Sequence, residues 1–419
     1  MDKAAILNYP GSKRRLLDFI LSNSKKYLSD ESVILDIFCG TGSVAEMFKN
    51  EGFTVCANDS ENYSRNIAFS LLNGLDGDLD LNQLNNCYKS NYSELSKDFS
   101  MALGTEKDLI SNKKPEIEEF DLSLPKVWKE GGIVLCDKNY KTESELRNAS
   151  ASLPFCLFTT YYSGYYFGLK QCIQIDSIRC AIEQCGKNKE VLLTCLYYAM
   201  KESTFSKDGH MAQPLNHAKN LHRLFKCRER DIYEIFFKKL NDFKENKKSC
   251  KQSKVFNLPF EELILDANIL RDVDFIYADP PYTDMQYSRY FHLLNTVTAY
   301  DYPDLTRKNG KLTTGLYADN RFQSKISNKK SALPELSDLM RVAEQNGCVL
   351  AFSYAFPVDR ENQPTDRYTM NIDDLIGKMK EIFPKVDVIK ENFKHCNNRN
   401  SAAKKVYEYL IIGVPDGKQ

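Results

Sequence analysis

The sequence predicts an α/β fold: a Rossmann-like sheet wound by helices and built from both ends of the chain, with a mainly helical block inserted between them. Three observations predict it. Near the N-terminus the apolar run VILDIF (33–38) leads through the glycine turn GTGS into the helical VAEMFKN, and FTVCAND (53–59) followed by SENYSRNIAFSLLNG repeats that order. Strand, helix, strand, helix at this spacing makes a parallel sheet covered by helices. The pattern stops from about 80 to 250, then resumes and ends in two long apolar runs.

Each element carries its own signal. VILDIF is a short continuous apolar run, as a strand buried on both faces must be. In VAEMFKN, Val44, Met47 and Phe48 share one face at the helical period, and the next helix closes at Gly74. The inserted block holds the tyrosine-rich TTYYSGYYFG (159–168) and the helical IDSIRCAIEQC and VLLTCLYYAMKE. If the tyrosine-rich stretch is extended, alternate positions face inward, so half of Tyr161, Tyr162, Tyr165 and Tyr166 are expected in the core. The lysine-rich KENKKSCKQSK (244–254) reads as a solvated linker. The sheet resumes with KVFNL (254–258), a helix FEELILDANIL, the strand VDFIYA (273–278), a helix SALPELSDLMRVAEQNG and the strand CVLAFSYA (348–355). VDVIKENFKH (386–395) and VYEYLIIGV (406–414), joined by a polar loop, read as an antiparallel hairpin closing the sheet. The expected domains are 1–79 with 251–419, and an insertion at 80–250.

Composition limits the function classes. A chain of 419 residues with 42% hydrophobic content supports two cores. Lys+Arg and Asp+Glu both total 57, so no global field drives the protein onto nucleic acid or an acidic membrane, and any polyanion site must be a local patch. The N-terminal MDKAAILNYPGSKRR lacks an apolar signal core, and no uncharged run approaches the roughly 20 residues of a membrane span. A soluble, cytoplasmic protein with no membrane partner is expected. The 13 cysteines form no C-x-x-C pair, and Cys39, Cys56, Cys195 and Cys348 sit in apolar stretches, which reads as buried thiols. The five histidines show no ligand spacing, so no metal site is expected.

The chemistry-bearing residues fall at predicted strand ends, where open parallel sheets bind ligands. In DIFCGTGS, Gly40 and Gly42 let the backbone pass close to a ligand and free the helix N-terminus to face it. Asp59 ends the next strand, where a carboxylate accepts both hydroxyls of a ribose. These two features alone also describe a tight structural turn and a helix cap. NYPGSKRRLL (8–17) adds Lys13 just after a Pro-Gly turn, placed to meet a carboxylate, and a P-loop pattern is absent. A ligand with a ribose and a carboxylate but no phosphate fits S-adenosylmethionine.

The run FIYADPPYTDMQYSRY (275–290) puts an acid, a stiff turn and a ring in that order. An exocyclic amine on a purine shares its lone pair with the ring and is a poor nucleophile. Asp279, acceptor-only when ionised, takes one amine hydrogen, and the Pro280 carbonyl, held by the Pro280-Pro281 pair, takes the other. Both oppose delocalisation and stabilise the positive charge that develops on nitrogen. Tyr282 offers a face for a stacked base, a contact worth about 1–3 kcal/mol. The bland alternative is a strand ending in a Pro-Pro turn with a capping acid.

Together these residues resemble the adenine-N6 DNA methyltransferases of the Dam type. NYPGSKRRLL resembles that family's N-terminal cofactor motif, DIFCGTGSV its glycine motif, ANDS its ribose acid and ADPPY its catalytic motif. The resemblance covers 1–75 and 250–415 and implies a seven-stranded methyltransferase sheet. It implies that Tyr9, Lys13, Asp59 and Asp279 contact S-adenosylmethionine, joined by Asp36, Phe38, Gly40 and Gly42 of the glycine motif. Asp279, Pro280 and Tyr282 would grip the flipped adenine. YSGYYFGLKQCIQIDSIRCAIE is similar to a segment some members place beside the target base. Family members commonly carry Trp where Tyr9 stands, and the block 76–250 is long, so its fold and sequence specificity are not carried over.

An adenine amine inside duplex DNA is reached only by extruding the nucleotide. HAKNLHRLFKCRER (217–230) presents Lys219, Arg223, Lys226 and Arg230 as one basic stripe on one helix, and RFQSKISNKK (321–330) is a basic loop with Arg321 and Lys325. Both are candidate phosphate contacts, and a solvated surface face is the alternative reading of the stripe. The expected partner is double-stranded DNA; a cognate restriction endonuclease is a candidate partner that the sequence does not specify. The rivals are cytosine-N4 methylation, methylation of an RNA or protein amine, and a catalytically idle DNA-binding subunit.

Overall fold

Continuous apolar runs become the central strands of one seven-stranded sheet. The computed structural model describes residues 5–7, 11–207, 209–245, 252–284, 286–358, 365–395 and 404–417. In chain order the strands are β1 (Val33–Asp36), β2 (Thr54–Asn58), β3 (Lys254–Phe256), β4 (Phe275–Ala278), β5 (Val349–Pro357), β6 (Lys385–His395) and β7 (Lys404–Val414). Their spatial order is β6-β7-β5-β4-β1-β2-β3. The first five run parallel; β7 lies antiparallel to β5, and β6 antiparallel to β7, which is the hairpin expected from the last two apolar runs. This is the Rossmann-like sheet the sequence predicts.

The two-residue period of a strand divides this sheet's side chains between two cores. Ile34, Phe275, Tyr277, Val349, Ala351, Leu410 and Ile412 pack on one face with Val44, Phe48 and Leu72 from the helices Ser43–Asn50 and Asn62–Asn73. Leu35, Ile276, Ala278, Leu350, Phe352 and Ile411 pack on the other with Leu336, Met340 and Leu375 from the helices Ala332–Gln345 and Ile372–Ile382. Every residue of β4 and β5 is buried, which is why neither run alternates in polarity.

FEELILDANIL is not one helix. It divides into Phe260–Leu263 and Ala267–Leu270, because Asp266 turns its side chain onto the Asn268 amide and starts a second helix instead of continuing the first. An Asp favours this capping role over a helix interior.

The chain forms two compact units, one gathering Gly11–Leu72, Ser249–Tyr287 and Phe322–Gln419, the other containing Asn73–Lys248 and Ser288–Arg321. The first holds the sheet. The second is mainly helical, with Leu81–Asp98, Leu169–Cys185, Lys189–Ser203 and Ile232–Glu245 as its longest helices. Here the tyrosine-rich stretch is not extended: Leu157–Tyr161 is a short helix, and Gly164, at φ +79°, turns the chain where a Cβ would sit 2.6 Å from the Asp121 carbonyl. Tyr161, Tyr162 and Tyr166 are all buried, and only Tyr165 is partly exposed, so three tyrosines rather than two enter the core. Asp176 fastens this helix by accepting from the Phe158 and Thr159 amides, each at 2.8 Å.

Cys39, Cys195 and Cys348 are buried and Cys56 half-buried. Among the described residues no group of His, Cys, Asp and Glu is arranged to hold a metal ion. No described helix is long and apolar enough to cross a membrane. Residues 246–251 of the expected linker lie outside the described residues.

Candidate active site

The strand order reverses between β1 and β4, since β1, β2 and β3 step one way and β4 and β5 the other. The carboxyl ends of β1 and β4 therefore flank the crevice where such sheets bind ligands. The Ile37 amide donates to the Tyr277 carbonyl at 3.0 Å and the Cys39 amide to the Asn58 carbonyl at 2.9 Å, so the chain leaving β1 is pinned to both neighbours. Gly40 and Gly42 follow at φ +51° and +72°. A Cβ on Gly42 would stand 3.1 Å from the Ala68 Cα, so this glycine also seats the turn against the helix Asn62–Asn73.

Asp59 reaches this turn. Its Oδ2 accepts from the Gly40 amide at 2.9 Å and its Oδ1 from the Glu61 amide at 2.9 Å. Burial pushes the carboxyl up to about 6 against the pull of those two bonds. Each oxygen keeps a second lone pair for a ligand hydroxyl. Asp36 is 1% exposed, with Oδ1 lacking a hydrogen-bond partner. Burial, and then the charges of Asp279 and Asp59, push its carboxyl well above the usual range. Phe38 is partly buried, its ring 5.2 Å from that of Phe260.

The ADPPY motif is held from three directions. Lys13 begins a short 3₁₀ turn, Lys13–Arg15, and points its ammonium between two carboxylates, 3.0 Å from Asp279 Oδ1 and 2.7 Å from Glu408 Oε1. Burial pulls the Lys13 pKa down, but Asp279 and Glu408 outweigh it and hold it above the ordinary lysine value. Burial pushes the Asp279 carboxyl up to about 7, with Lys13 opposing and Glu408 reinforcing. Thr369 then takes the carbonyls that follow, its amide donating to Tyr282 at 3.1 Å and its hydroxyl to Pro281 at 3.4 Å. The Pro280 carbonyl accepts no hydrogen bond among the described residues. The Tyr282 ring meets Tyr354 edge-on at 5.8 Å and lies nearly parallel to Tyr368 at 6.2 Å. Gly11, at φ +82°, passes so close that a Cβ there would be 2.9 Å from the Tyr282 hydroxyl.

The motifs thus converge: Lys13 on Asp279, Gly40 on Asp59, Gly11 on Tyr282. Tyr9 lies outside the described residues. Lys13, expected to face a ligand carboxylate, spends its ammonium on two protein carboxylates, because a buried cation is stable only when paired. Glu408, Ser353 and Thr369 carry no motif. Glu408 did leave a trace: it is the only charge in VYEYLIIGV and shares its strand parity with Leu410 and Ile412, which enter the core.

The basic stripe does not lie on one helix. The helix is Leu221–Arg228, so Lys219 precedes its cap Asn220 and Arg230 follows its last residue. Arg223 and Lys226 are exposed on it, although Arg223 donates to the Ser206 carbonyl, and Arg230 sits 3.7 Å from Glu202. Arg228, the remaining base, turns inward to Asp121 at 2.9 Å. Lys201, His222, Arg223, Lys226 and Arg230 line a groove of about 500 Å³ with Glu202. Arg321 donates to the Ser288 hydroxyl at 3.3 Å with its guanidinium 4.7 Å from the Tyr317 ring centre. Lys325 lies in the 3₁₀ turn Lys325–Ser327 and pairs with Glu335 at 3.4 Å.

Residues 9–341 match the family model described as D12 class N6 adenine-specific DNA methyltransferase. The chain is 25% identical over 434 residues to Type II methyltransferase M.NlaIII of Neisseria lactamica, covering 97% of this chain and 98% of that one. It is 24% identical over 347 residues to Modification methylase LlaI of Lactococcus lactis subsp. lactis, covering 83% of this chain and 46% of that one. Modification methylase StsI of Streptococcus sanguinis is 23% identical over 408 residues, 97% of this chain and 51% of that one. The chain therefore spans about half the length of the last two relatives and nearly all of the first. No solved structure matches it.

Proposed function

The chain belongs to the D12 class of N6 adenine-specific DNA methyltransferases, and from that premise we propose that it transfers a methyl group from S-adenosylmethionine to N6 of an adenine flipped out of a specific double-stranded DNA sequence. The observation that carries this reading is the pair of acceptors at the end of β4. Asp279 Oδ1 meets the Lys13 ammonium at 3.0 Å and no other described donor, and the next carbonyl, that of Pro280, accepts nothing among the described residues.

The residues present fit the cofactor. The buried Asp36 Oδ1 lacks a hydrogen-bond partner, and Asp36, Asp59, Asp279 and Glu408 outnumber the buried cation among them, Lys13; a ligand bearing a sulfonium and an ammonium supplies the opposite charge. Asp59 would hold the ribose, and Phe38, Gly40 and Gly42 the nucleoside beside the turn. When bound, the cofactor supplies an electrophilic methyl carbon on sulfur.

The chain's own residues prepare the other reactant. Asp279 and the Pro280 carbonyl would each accept one N6 hydrogen, so the lone pair localises on nitrogen and the charge developing there is stabilised. The amine nitrogen would take the methyl carbon that the cofactor supplies, and one N6 proton would then have to leave. A carboxylate pushed up to about 7 receives that proton more readily than an ordinary aspartate does. Tyr282 would stack on the adenine, with Gly11 and Thr369 fixing its ring and its carbonyl. The exposed bases Lys219, Arg223 and Lys226 and the partly exposed Arg230 in one unit, and Lys325 in the other, are proposed phosphate contacts, with Arg321 beside Tyr317 a further one. A restriction endonuclease of the same sequence specificity is a proposed partner, since the relatives are modification methylases.

Expression in a methylation-deficient host followed by genome-wide mapping of modified bases tests this reading. Modified adenine within a single motif is expected. Modified cytosine, or unmodified DNA, overturns it.

A further inference from the structure

Glu408 is 1% exposed and belongs to none of the motifs. A carboxylate on a core-facing position of a strand is strongly unfavourable unless charge and hydrogen bonds meet it. Here both meet one oxygen: Oε1 accepts from Lys13 Nζ at 2.7 Å and from Ser353 Oγ at 2.7 Å. Lys13 in turn lies 3.0 Å from Asp279. Two acids and one base are thus held in a row on elements far apart in the chain. The other titratable groups facing Asp279 are Asp36, Tyr277 and Tyr282, and none is a cation.

Lys13 and Asp279 alone would make a neutral pair. The methyl donor and its demethylated product differ at the reacting sulfur by a methyl group and one positive charge, so a neutral site distinguishes them poorly. We propose that Glu408 is a positioning residue that biases the site toward a cationic ligand: by engaging Lys13 it leaves the trio with one surplus negative charge, which favours the sulfonium donor over the neutral thioether product. The proposal rests on the S-adenosylmethionine reading above. It assigns Glu408 a part in product release, because transfer of the methyl removes the charge that the trio holds.

Glu408→Gln keeps the shape and one acceptor oxygen while removing the charge. Calorimetry on the full chain without DNA gives the dissociation constants of S-adenosylmethionine and S-adenosylhomocysteine. The ratio of product to donor constants falls about tenfold in Glu408→Gln, the scale of one charge acting in a partly buried site, and Glu408→Asp retains the wild-type ratio. The acid limb of kcat/KM moves to lower pH in Glu408→Gln, because Asp279 loses a like-charged neighbour. An unchanged ratio with an unmoved acid limb overturns the proposal, as does equal weakening of both ligands in both variants. Should Glu408→Gln not fold, the wild-type protein decides: donor binding releases more protons than product binding near pH 7, and equal release overturns the proposal. A wild-type chain that binds neither ligand overturns the cofactor reading itself.

Discussion

The Lys13 ammonium lies 3.0 Å from Asp279 Oδ1, yet the carboxyl keeps its proton up to about pH 7, because burial outweighs that one cation and Glu408 works against it. The consequence for stability has a definite sign. An unfolded aspartate releases its proton near pH 4, so between about 4 and 7 the folded chain holds a proton that the unfolded chain has lost. Stability from this group is full below about pH 4 and falls as pH rises through 7. Asp279→Asn removes the effect. The variant is expected to melt higher than wild type at pH 8, by up to ~4 kcal/mol, with the difference gone at pH 4. Equal melting temperatures at pH 8 would show that the carboxylate is not strained.

The same substitution removes the proposed first acceptor of the amine. Asp279→Asn and Asp279→Ala should lower kcat at least about a hundredfold, the effect of losing one preorganised transition-state contact, and leave DNA affinity unchanged. Normal methylation by either variant would reject the mechanism.

Because Asp279 is acceptor-only, and carries the charge that would stabilise the reacting nitrogen, only when ionised, kcat/KM should climb about tenfold per pH unit up to about 7 and level above it. Below about 6, Asp59 also takes up a proton and its charge no longer strengthens the bonds from the Gly40 and Glu61 amides, so the profile steepens there. Steady-state rates from pH 5.5 to 8.5 check this, and a flat profile contradicts it.

Gly11→Ala places a Cβ 2.9 Å from the Tyr282 hydroxyl on a backbone at φ +82°. The clash should push the ring off its position and weaken base binding, while the strained φ costs about 1 kcal/mol or more. Adding Tyr282→Phe removes the hydroxyl that clashes and keeps the stacking face. The double variant should therefore recover activity over Gly11→Ala, measured as kcat/KM on the same duplex. A double variant worse than either single one would show that the contact is not the reason for the glycine.

What was legible in the sequence follows from how locally each feature is encoded. The sheet could be read because β4 and β5 are buried on both faces and so appear as unbroken apolar runs. Lys13, Asp59 and Asp279 stood out because each ends a run or follows a turn. Glu408 did not, because its meaning comes from Lys13, 395 residues away, and depends on β7 lying antiparallel to β5. The clamp on the Pro281-Tyr282 loop was equally hidden, since Thr369 acts through its amide as well as its hydroxyl, and an amide has no residue type. FEELILDANIL kept helical periodicity across a break that one capping side chain, Asp266, creates. The basic stripe was misplaced for a similar reason: periodicity cannot tell an outward base from one paired inside.

Lys226 and Arg228 make that last distinction testable, being two residues apart on one helix with opposite surroundings. Lys226 is exposed at the basic groove. Arg228 has a fully buried side chain, 2.9 Å from an Asp121 that is equally buried and that also faces His217 Nε2 at 3.3 Å. Lys226→Ala should leave the melting temperature unchanged and lower the slope of log K against log salt by about 0.9, the release of one counterion. Arg228→Ala strands Asp121 without its guanidinium, at a cost of about 3–5 kcal/mol, and should show as a lowered melting temperature before any effect on DNA. Glu106, whose carboxylate also lies in the field of Arg228 and holds the amides of Leu169 and Lys170, would lose a favourable neighbour in the same step. A Lys226→Ala protein with the wild-type salt slope would remove this helix from the DNA-binding surface.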